Sequence, residues 1–390
     1  MEFDFDEIID RKNTNSVKHD FAVERGKPEG VLPLWVADMD FRVPPCVQER
    51  IRTSAELGIF GYSDVKSEYF HAVEQWYERH YDYRLREEWM VKTPGVVFAI
   101  AMAIRAFSEK GDGIMIQPPV YYPFQAEILH NARKLVTSEL QLSNYHYEID
   151  FGDFENRIRR DKVKLFLLCN PHNPVGRVFR ESELRRIGEI CARHGVIVVS
   201  DEIHSDITFY DHRHHVFAGL SPEFEQMTIT CTSPSKSFNL AGLQVANIFI
   251  ANEGLRAKFV KAIAETGYGQ PNLFGLVACQ AAYEGGREWL EQLNDYLRGN
   301  LDFIRIFIQN RLPGIRLIEP EGTYLIWLDC RGLSLNEEER EYLIVQRAGL
   351  WLGSGRTFGK SGEGFERLNI ACPRRTLETA MYRLLGALDS

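Results

Sequence analysis

The clearest structural signal in the sequence is VIVVSDEIH, residues 196–204, in which an uninterrupted apolar run ends at an acidic residue. A run that is apolar throughout, without alternation, is typical of a strand covered on both faces. Four further runs of this kind lie on either side of it in the chain: GIMIQ (113–117), VKLFLLC (163–169), TITCT (228–232) and VANIFIA (245–251). These runs predict the strands of one buried, mainly parallel sheet.

Helical patterns connect these predicted strands. Between residues 169 and 196, Leu184, Ile187, Ile190 and Cys191 recur at helical spacing, and Gly195 predicts the end of a helix over 181–194. Strand, helix and strand in this order indicate right-handed crossovers and an α/β fold.

The pattern changes after residue 272. A long helical stretch reaches residue 312 and is followed by a strand-like TYLIWLDC (323–330), a helix from 336, a strand-like RLNIAC (367–372) and a closing helix. We therefore expect a large domain over 46–287. A smaller α+β domain is expected to combine residues 1–45 with 288–390.

Composition excludes several classes of protein. The 390 residues are 44% hydrophobic and 26% charged, which is typical of a globular protein, and the net charge of −9 disfavours nucleic acid as a partner. No apolar run approaches the ~20 residues that span a membrane. Seven cysteines without a C-x-x-C pair favour free thiols in a reducing, cytoplasmic location. No metal site is expected, and HRHH (212–215) is interpreted as a solvated loop.

Polar residues follow the predicted strands at the carboxyl ends, where α/β sheets bind ligands. They are Asn173, Asp201 with His204, Ser233 to Lys236, Tyr121, and a Gly-led helix start at Val96 and Val97. A lysine, an acid, an amide, an aromatic ring and a helix N-terminus on one rim are what a phosphorylated, ring-shaped aldehyde requires.

Each of these residues also has a simpler interpretation. Lys236 could be a surface lysine, Asp201 a helix cap and Asn173 a turn residue. Ser233 and Lys236 also fit S-x-x-K of penicillin-binding proteins, but the S-D-N and K-T-G motifs of that family are absent from the sequence. The joint occurrence of the strand-end residues in this order favours the cofactor site.

The sequence resembles fold type I pyridoxal-phosphate enzymes of the class I/II aminotransferase family, over essentially its whole length. This resemblance implies an α/β fold whose large domain has a mainly parallel, seven-stranded-type sheet, with a smaller α+β domain. Within that family it is most similar to the MalY/PatB-type cystathionine β-lyases, a C–S lyase subgroup. The matching segments are 35–41 (WVADMDF), 61–63 (GYS), 173–176 (NPVG), 201–204 (DEIH), 233–242 (SPSKSFNLAG) and 358–369 (FGKSGEGFERLN).

The resemblance implies roles for residues around the cofactor ring. Lys236 would hold pyridoxal 5'-phosphate through its aldehyde and then act as the base at the substrate Cα. Asp201 would pair with the pyridine nitrogen, and Asn173 would donate to the phenolic oxygen. Tyr121 would stack on the ring. His204 stands where most relatives have a tyrosine.

The resemblance also implies how phosphate and substrate are held. Ser233, Ser235, the amides of Val96 and Val97, and Tyr62 of a neighbouring subunit would bind the phosphate, which implies a homodimer with shared active sites. Arg367 would clamp the substrate carboxylate, with Asn173 and Ala37 also touching the substrate. Many relatives have a phosphate-binding arginine where this chain has Gln244.

The expected reaction is α,β-elimination of cystathionine or a related L-cysteine S-conjugate to a thiol, pyruvate and ammonia. Lys236 would be the base, and Tyr62, Tyr121 or the regenerated Lys236 would protonate the leaving thiol. Two alternatives stay open: an aminotransferase that uses the same site with a 2-oxo acid, and a regulatory module that binds a protein partner.

Overall fold

A seven-stranded sheet forms the centre of the computed structural model, which describes residues 2–389. The strands are β1 (Leu32–Pro33), β2 (Met90–Thr93), β3 (Gly113–Ile116), β4 (Lys134–Thr137), β5 (Gln141–Ser143), β6 (His146–Glu148), β7 (Leu165–Cys169), β8 (Ile197–Asp201), β9 (Thr228–Thr232), β10 (Ala246–Phe249), β11 (Arg316–Ile318), β12 (Leu325–Asp329), β13 (Leu350–Trp351), β14 (Gly353–Ser354) and β15 (Phe365–Asn369).

Helices connect these strands and cover the central sheet. They are α1 (Pro45–Glu56), α2 (Ser67–Tyr81), α3 (Val96–Phe107), α4 (Tyr122–His130), α5 (Phe151–Asp161), α6 (Glu181–Arg193), α7 (Pro222–Gln226), α8 (Pro234–Ser237), α9 (Glu253–Ala264), α10 (Leu273–Gly285), α11 (Arg287–Arg311), α12 (Glu337–Glu341) and α13 (Arg374–Asp389).

The central sheet has the order β2-β10-β9-β8-β7-β3-β4. All neighbours are parallel except β10, which runs antiparallel to both β2 and β9. Every residue of β3, β7, β9 and β10 is buried, as the apolar runs predict. The α/β fold with a mainly parallel seven-stranded sheet is confirmed.

Helix α6 matches its prediction to within one residue. Leu184, Ile187 and Cys191 are buried on its sheet-facing side, and the chain leaves the helix through Gly195 at φ +65°. A positive φ is costly for residues with a Cβ, so glycine suits this exit.

A second, antiparallel sheet of order β11-β12-β15-β14 lies in the C-terminal part of the chain. Strand β15 spans 365–369 and not 367–372, because the Asn369 side chain accepts a bond from Ala371 N at 2.7 Å and turns the chain. The N-terminal strand β1 pairs with β13. This pairing supports the proposed small domain of 1–45 with 288–390, while the boundary with 46–287 stays a prediction.

The interpretation of residues 212–215 as a solvated loop is confirmed for His212 and Arg213, which are exposed in a loop, but it is wrong for His214. His214, expected in a solvated loop, is buried, and its Nε2 lies 2.9 Å from a carboxylate oxygen of the equally buried Glu202. The acid compensates the burial of the imidazole, which the run HRHH could not reveal. No helix within residues 2–389 has the length and hydrophobicity to cross a membrane. No cluster of three or more potential metal ligands occurs in that range either.

Candidate active site

A cavity of about 470 Å³ lies at the carboxyl ends of β7 and β8, between the N-terminus of α3 and the chain around α8. Most of the site residues predicted from the sequence line it: Ala37, Val96, Val97, Tyr121, Asn173, Asp201, His204, Ser235 and Lys236. The other lining residues are Pro94, Gly95, Phe98, Cys169, Ile203, Ala241 and Gln244.

Lys236 reaches into this cavity from the short helix α8, which follows β9 directly. Its Nζ donates a hydrogen bond of 2.7 Å to the carbonyl oxygen of Ala37. Burial lowers the pKa of the Lys236 amine to about 8, and the charge of Arg367 acts in the same direction. The amine therefore loses its proton near physiological pH, as a nucleophile or general base must.

Asp201, the last residue of β8, is 4% exposed. One carboxylate oxygen accepts a 3.1 Å hydrogen bond from Ile203 N, and Asp201 forms no ion pair within residues 2–389. Burial raises the pKa of this carboxyl to about 7. A cationic ring nitrogen in the cavity would compensate that burial.

Arg367 is a buried cation without an acidic partner among the residues described. Its Nη1 donates 2.9 Å to the Asn173 side-chain oxygen and its Nη2 donates 2.6 Å to the Trp35 carbonyl, while its buried Nε has no partner. Burial lowers the pKa of the guanidinium to about 10. A buried cation of this kind is stabilised by an anionic ligand, and a carboxylate fits the planar guanidinium.

Two ring side chains border the same cavity. His204 is buried, its Nδ1 has no hydrogen-bond partner, and burial holds the pKa of the imidazole well below its usual value, so the ring is neutral. Tyr121 lies directly before α4, and burial raises the pKa of its phenol, which keeps its proton at neutral pH. The unsatisfied His204 nitrogen is an observation that a polar ligand would explain.

The N-terminus of α3 forms one end of the cavity. Gly95 precedes the helix without a side-chain cap, so the first amides, including those of Val96 and Val97, have no acceptor within the helix. Together with the Ser235 hydroxyl they offer donors for an anion such as phosphate. Gln244 lines the cavity in the left-handed region at φ +49°.

Three predicted residues are not among those that line this cavity: Arg367, which is hydrogen-bonded to the lining residue Asn173, and Ser233 and Tyr62. The Ser233 hydroxyl donates a hydrogen bond of 2.7 Å to Val245 O and lies 2.6 Å from the Ser235 hydroxyl. Ser233 therefore orients the Ser235 side chain without lining the cavity itself. Tyr62 is fully exposed between α1 and α2 and borders a separate cavity with Phe60 and 269–274.

Sequence reasoning missed Tyr324. Its hydroxyl donates 3.3 Å to Ala37 O, the carbonyl that also accepts from Lys236, and its ring contacts that of His204 edge-on at 5.8 Å. The residue begins the apolar run that was interpreted as a buried strand. The available signal was its hydroxyl, because a buried tyrosine hydroxyl usually needs a partner.

Comparison with known proteins places this geometry in a family. The model of the family "Aminotransferase class I and II" matches residues 29–384. Cystathionine beta-lyase PatB of Bacillus subtilis is 40% identical over 385 residues, which are 99% of this chain and 100% of that protein.

Two solved structures are similar over the full length. A PLP-bound putative aminotransferase from Clostridium difficile has a TM-score of 0.97 at 41% identity and covers 99% of this chain and 100% of its own. Cystalysin from Treponema denticola, which contains a pyridoxal 5'-phosphate cofactor, has a TM-score of 0.96 at 34% identity, covering 100% of this chain and 99% of its own.

These likenesses confirm the fold type I architecture and the resemblance to PatB-type lyases that the motifs predict. With a matched family model over most of the chain and the expected lysine, acid, amide and arginine around one cavity, the chain belongs to the class I and II aminotransferase family.

Proposed function

We propose that this chain is a pyridoxal 5'-phosphate-dependent carbon–sulfur β-lyase that converts cystathionine or related L-cysteine S-conjugates to a thiol, pyruvate and ammonia. The observation that carries the reaction class is the 40% identity, along the full length, to a protein named cystathionine beta-lyase. Arg367, which is buried without an acidic partner among the described residues, independently supports a substrate with a carboxylate.

The residues of the cavity fit this cofactor. Asp201 would hold the pyridine nitrogen, Lys236 would bind the aldehyde carbon, and Asn173 with the unsatisfied His204 would face the polar ring substituents. The amides at the start of α3 and the Ser235 hydroxyl would hold the phosphate. When bound, pyridoxal 5'-phosphate supplies a ring that accepts electrons from the bonds at the substrate Cα.

The chain's own residues then orient the substrate and move its protons. Arg367 holds the carboxylate and thereby fixes which Cα bond faces the ring. Once the substrate amine had replaced Lys236 at the cofactor aldehyde carbon, the freed, uncharged Nζ of Lys236 would take the Cα proton, and the Cβ–S bond would break with both electrons leaving on the thiolate. One water would then release the remaining three-carbon unit as pyruvate and ammonia. Tyr121, whose phenol stays protonated, and the protonated Lys236 are the candidate proton donors to that sulfur; Tyr62 of a second subunit is a third.

Pyruvate release from cystathionine tests the proposal. The holoenzyme is expected to release pyruvate and homocysteine without an added 2-oxo acid, and Lys236→Ala is expected to lose this activity. Lys258→Ala, at an exposed lysine on α9, is the matched control and should retain it. Turnover in Lys236→Ala at the rate of the unsubstituted enzyme would refute the assignment of the base.

An aminotransferase is the second candidate, because one structural relative is described as a putative aminotransferase. The same sample, given an amino acid and a 2-oxo acid, distinguishes the two. Amino exchange without pyruvate from cystathionine would favour the aminotransferase and reject the lyase.

A homodimer with shared active sites is part of the proposal. Leu57, Ile59 and Phe60 are exposed beside Tyr62, and such an apolar surface is typical of an interface. Light scattering should give the mass of two chains, and Tyr62→Ala should weaken cofactor binding. A cytoplasmic location is also proposed, supported by seven cysteines that are all free thiols.

A further inference from the structure

A third cavity, of about 620 Å³, opens beside the candidate active site. It lies between α4 and the loop of residues 355–364 that connects β14 to β15. Its lining includes Tyr122 and Gln125 from α4 and Arg356, Lys360 and Glu363 from the loop. We call it the outer cavity.

The outer cavity adjoins the active-site cavity through aromatic rings. Tyr121 lines the inner cavity and Tyr122 the outer one, with their ring centroids 5.4 Å apart. The ring of Phe358 lies 6.3 Å from that of Tyr122 and 4.8 Å from the Cζ atom of Arg367. These ring contacts place the outer cavity next to the predicted carboxylate-binding residue, Arg367.

Three charged groups face the outer cavity without partners. The side chains of Arg356, Lys360 and Glu363 are exposed, and none forms an ion pair or a side-chain hydrogen bond within residues 2–389. Surface charges often find intramolecular partners, as Arg331 does with Asp329 next to this loop. Here two cations and one anion are left available to a ligand.

The loop that carries these charges has a constrained backbone. A Cβ on Gly355 would lie 2.1 Å from the Gly362 carbonyl oxygen, and a Cβ on Gly362 would lie 2.1 Å from that of Gly355. Val120 N donates 3.0 Å to Phe358 O and ties the loop to the chain before α4. The charged side chains therefore project from a fixed frame, which lowers the entropic cost of binding.

We propose that the outer cavity binds the distal amino and carboxylate groups of the thioether substrate. Arg356 and Lys360 would attract the distal carboxylate, and Glu363 the distal ammonium. This inference rests on the proposed function and makes it more specific, because cystathionine carries both distal charges whereas S-alkyl cysteines carry neither. The cavity would make the enzyme selective for S-conjugates with a zwitterionic end.

Binding of unreactive ligands tests this assignment without turnover. In L,L-2,7-diaminosuberate a methylene replaces the sulfur of cystathionine, and L-norleucine is the corresponding analogue of S-ethyl-L-cysteine. Calorimetry would measure both ligands on the holoenzyme, on Arg356→Gln/Lys360→Gln and on Glu363→Gln. Arg375→Gln, at an exposed arginine on α13 without an ion pair, is the matched control.

Solvent-exposed ion pairs contribute about 0.2–1 kcal/mol each. The double variant should therefore weaken the binding of diaminosuberate by about 2- to 30-fold, and Glu363→Gln should weaken it by about 1.5- to 5-fold. Norleucine should change by less than about twofold in every variant, on the same scale of surface effects. If the variants weakened the binding of both ligands equally, or did not weaken the binding of diaminosuberate, the assignment of the outer cavity to the distal charges would be overturned.

Turnover separates this inference from the proposed function. If the unsubstituted holoenzyme releases pyruvate from neither cystathionine nor S-ethyl-L-cysteine but still binds diaminosuberate in the predicted charge-dependent way, the lyase function is rejected and the outer cavity is supported. If it cleaves both substrates and the double variant cleaves both as well as before, the lyase is supported and the outer cavity is rejected.

Discussion

Replacing Arg367 by leucine should separate substrate binding from stability. The guanidinium is buried without an acidic partner, so the folded protein carries an uncompensated charge that only a bound carboxylate would balance. Arg367→Leu removes that charge and keeps an apolar side chain of moderate size. We expect severe loss of amino-acid binding with little loss of stability.

The expected change in the free energy of unfolding follows from the burial and the hydrogen bonds of Arg367. A pKa that burial lowers from 12.5 to about 10 corresponds to about 3 kcal/mol against the charged form. Both pKa values lie above neutrality, so this cost applies throughout the neutral range. Against this cost stand the hydrogen bonds from the charged guanidinium to Asn173 and Trp35, worth about 1.5–3 kcal/mol each. The two contributions are of similar size, so the free energy of unfolding of the apoprotein should change little and fall by at most about 3 kcal/mol.

The loss of binding should be much larger. Removing one partner of a buried ion pair costs about 3–5 kcal/mol, which is about 100- to 1,000-fold or more in affinity. Calorimetry on the holoenzyme would compare L-norleucine with n-pentylamine, the same chain without the carboxylate. Norleucine should bind at least about 100-fold more weakly to Arg367→Leu, whereas pentylamine should be unaffected.

Arg375→Leu, at an exposed arginine, controls for removal of a positive charge in general. The carboxylate assignment would be refuted if norleucine and pentylamine were weakened equally. A fall of clearly more than about 3 kcal/mol in the unfolding free energy of Arg367→Leu would show that Arg367 has a structural role instead.

Three further predictions concern this site and the N-terminal segment that packs against it. Burial raises the pKa of Asp201 from 3.8 to about 7 in the folded state, so the apoprotein should lose up to about 4 kcal/mol of stability as the pH rises through that range. In urea unfolding at pH 8, Asp201→Asn should restore most of this lost stability. An equal stabilisation by Asp201→Asn at pH 4 would contradict the prediction. The pKa of Lys236 is about 8, so the rate at which the cofactor rebinds to the apoprotein should rise with pH and level off above about pH 8. Absorbance would follow this rate, and a rate independent of pH would contradict the lowered pKa of Lys236. Lys18 is fully buried and lies 2.7 Å from a carboxylate oxygen of Asp40, which also pairs with Arg11. Lys18→Met should therefore lower the free energy of unfolding by about 1.5–3 kcal/mol, the worth of a charged hydrogen bond, while Lys12→Met at an exposed lysine should cost almost none.

The strands and strand ends were predictable because both depend on local sequence. An apolar run such as 228–232 must be covered on both faces, and the residues that follow it must reach the carboxyl edge of the sheet. This is why Asn173, Asp201 and Lys236 could be expected in one cavity before any coordinates. The substrate-binding role of Arg367 came from the motif resemblance, since nothing in its local sequence predicts that it is buried without an acid.

Contacts between distant parts of the chain could not be predicted. The Ala37 carbonyl that accepts from Lys236 lies 199 residues away in sequence, and the Tyr324 hydroxyl that shares it lies 287 residues from Ala37. The pairing of His214 with Glu202 was also missed, because a histidine-rich run predicts an exposed polar segment unless its buried partner is known. These contacts depend on the packing of several elements at once.

The position of the N-terminal segment explains why the site needs both ends of the chain. Residues 35–38 supply carbonyl oxygens to Lys236, Arg367 and Asn369, and Asn369 lies at the end of β15. Ion pairs of Asp38 with Arg11, and of Asp40 with Lys18, hold this segment in place. Lys236, which would carry the cofactor, and Arg367, which would hold the substrate, are therefore hydrogen-bonded to the same stretch of backbone. Any displacement of residues 35–38 would therefore move the base and the carboxylate clamp together, so the distance between them is set by the N-terminal segment as well as by the central sheet.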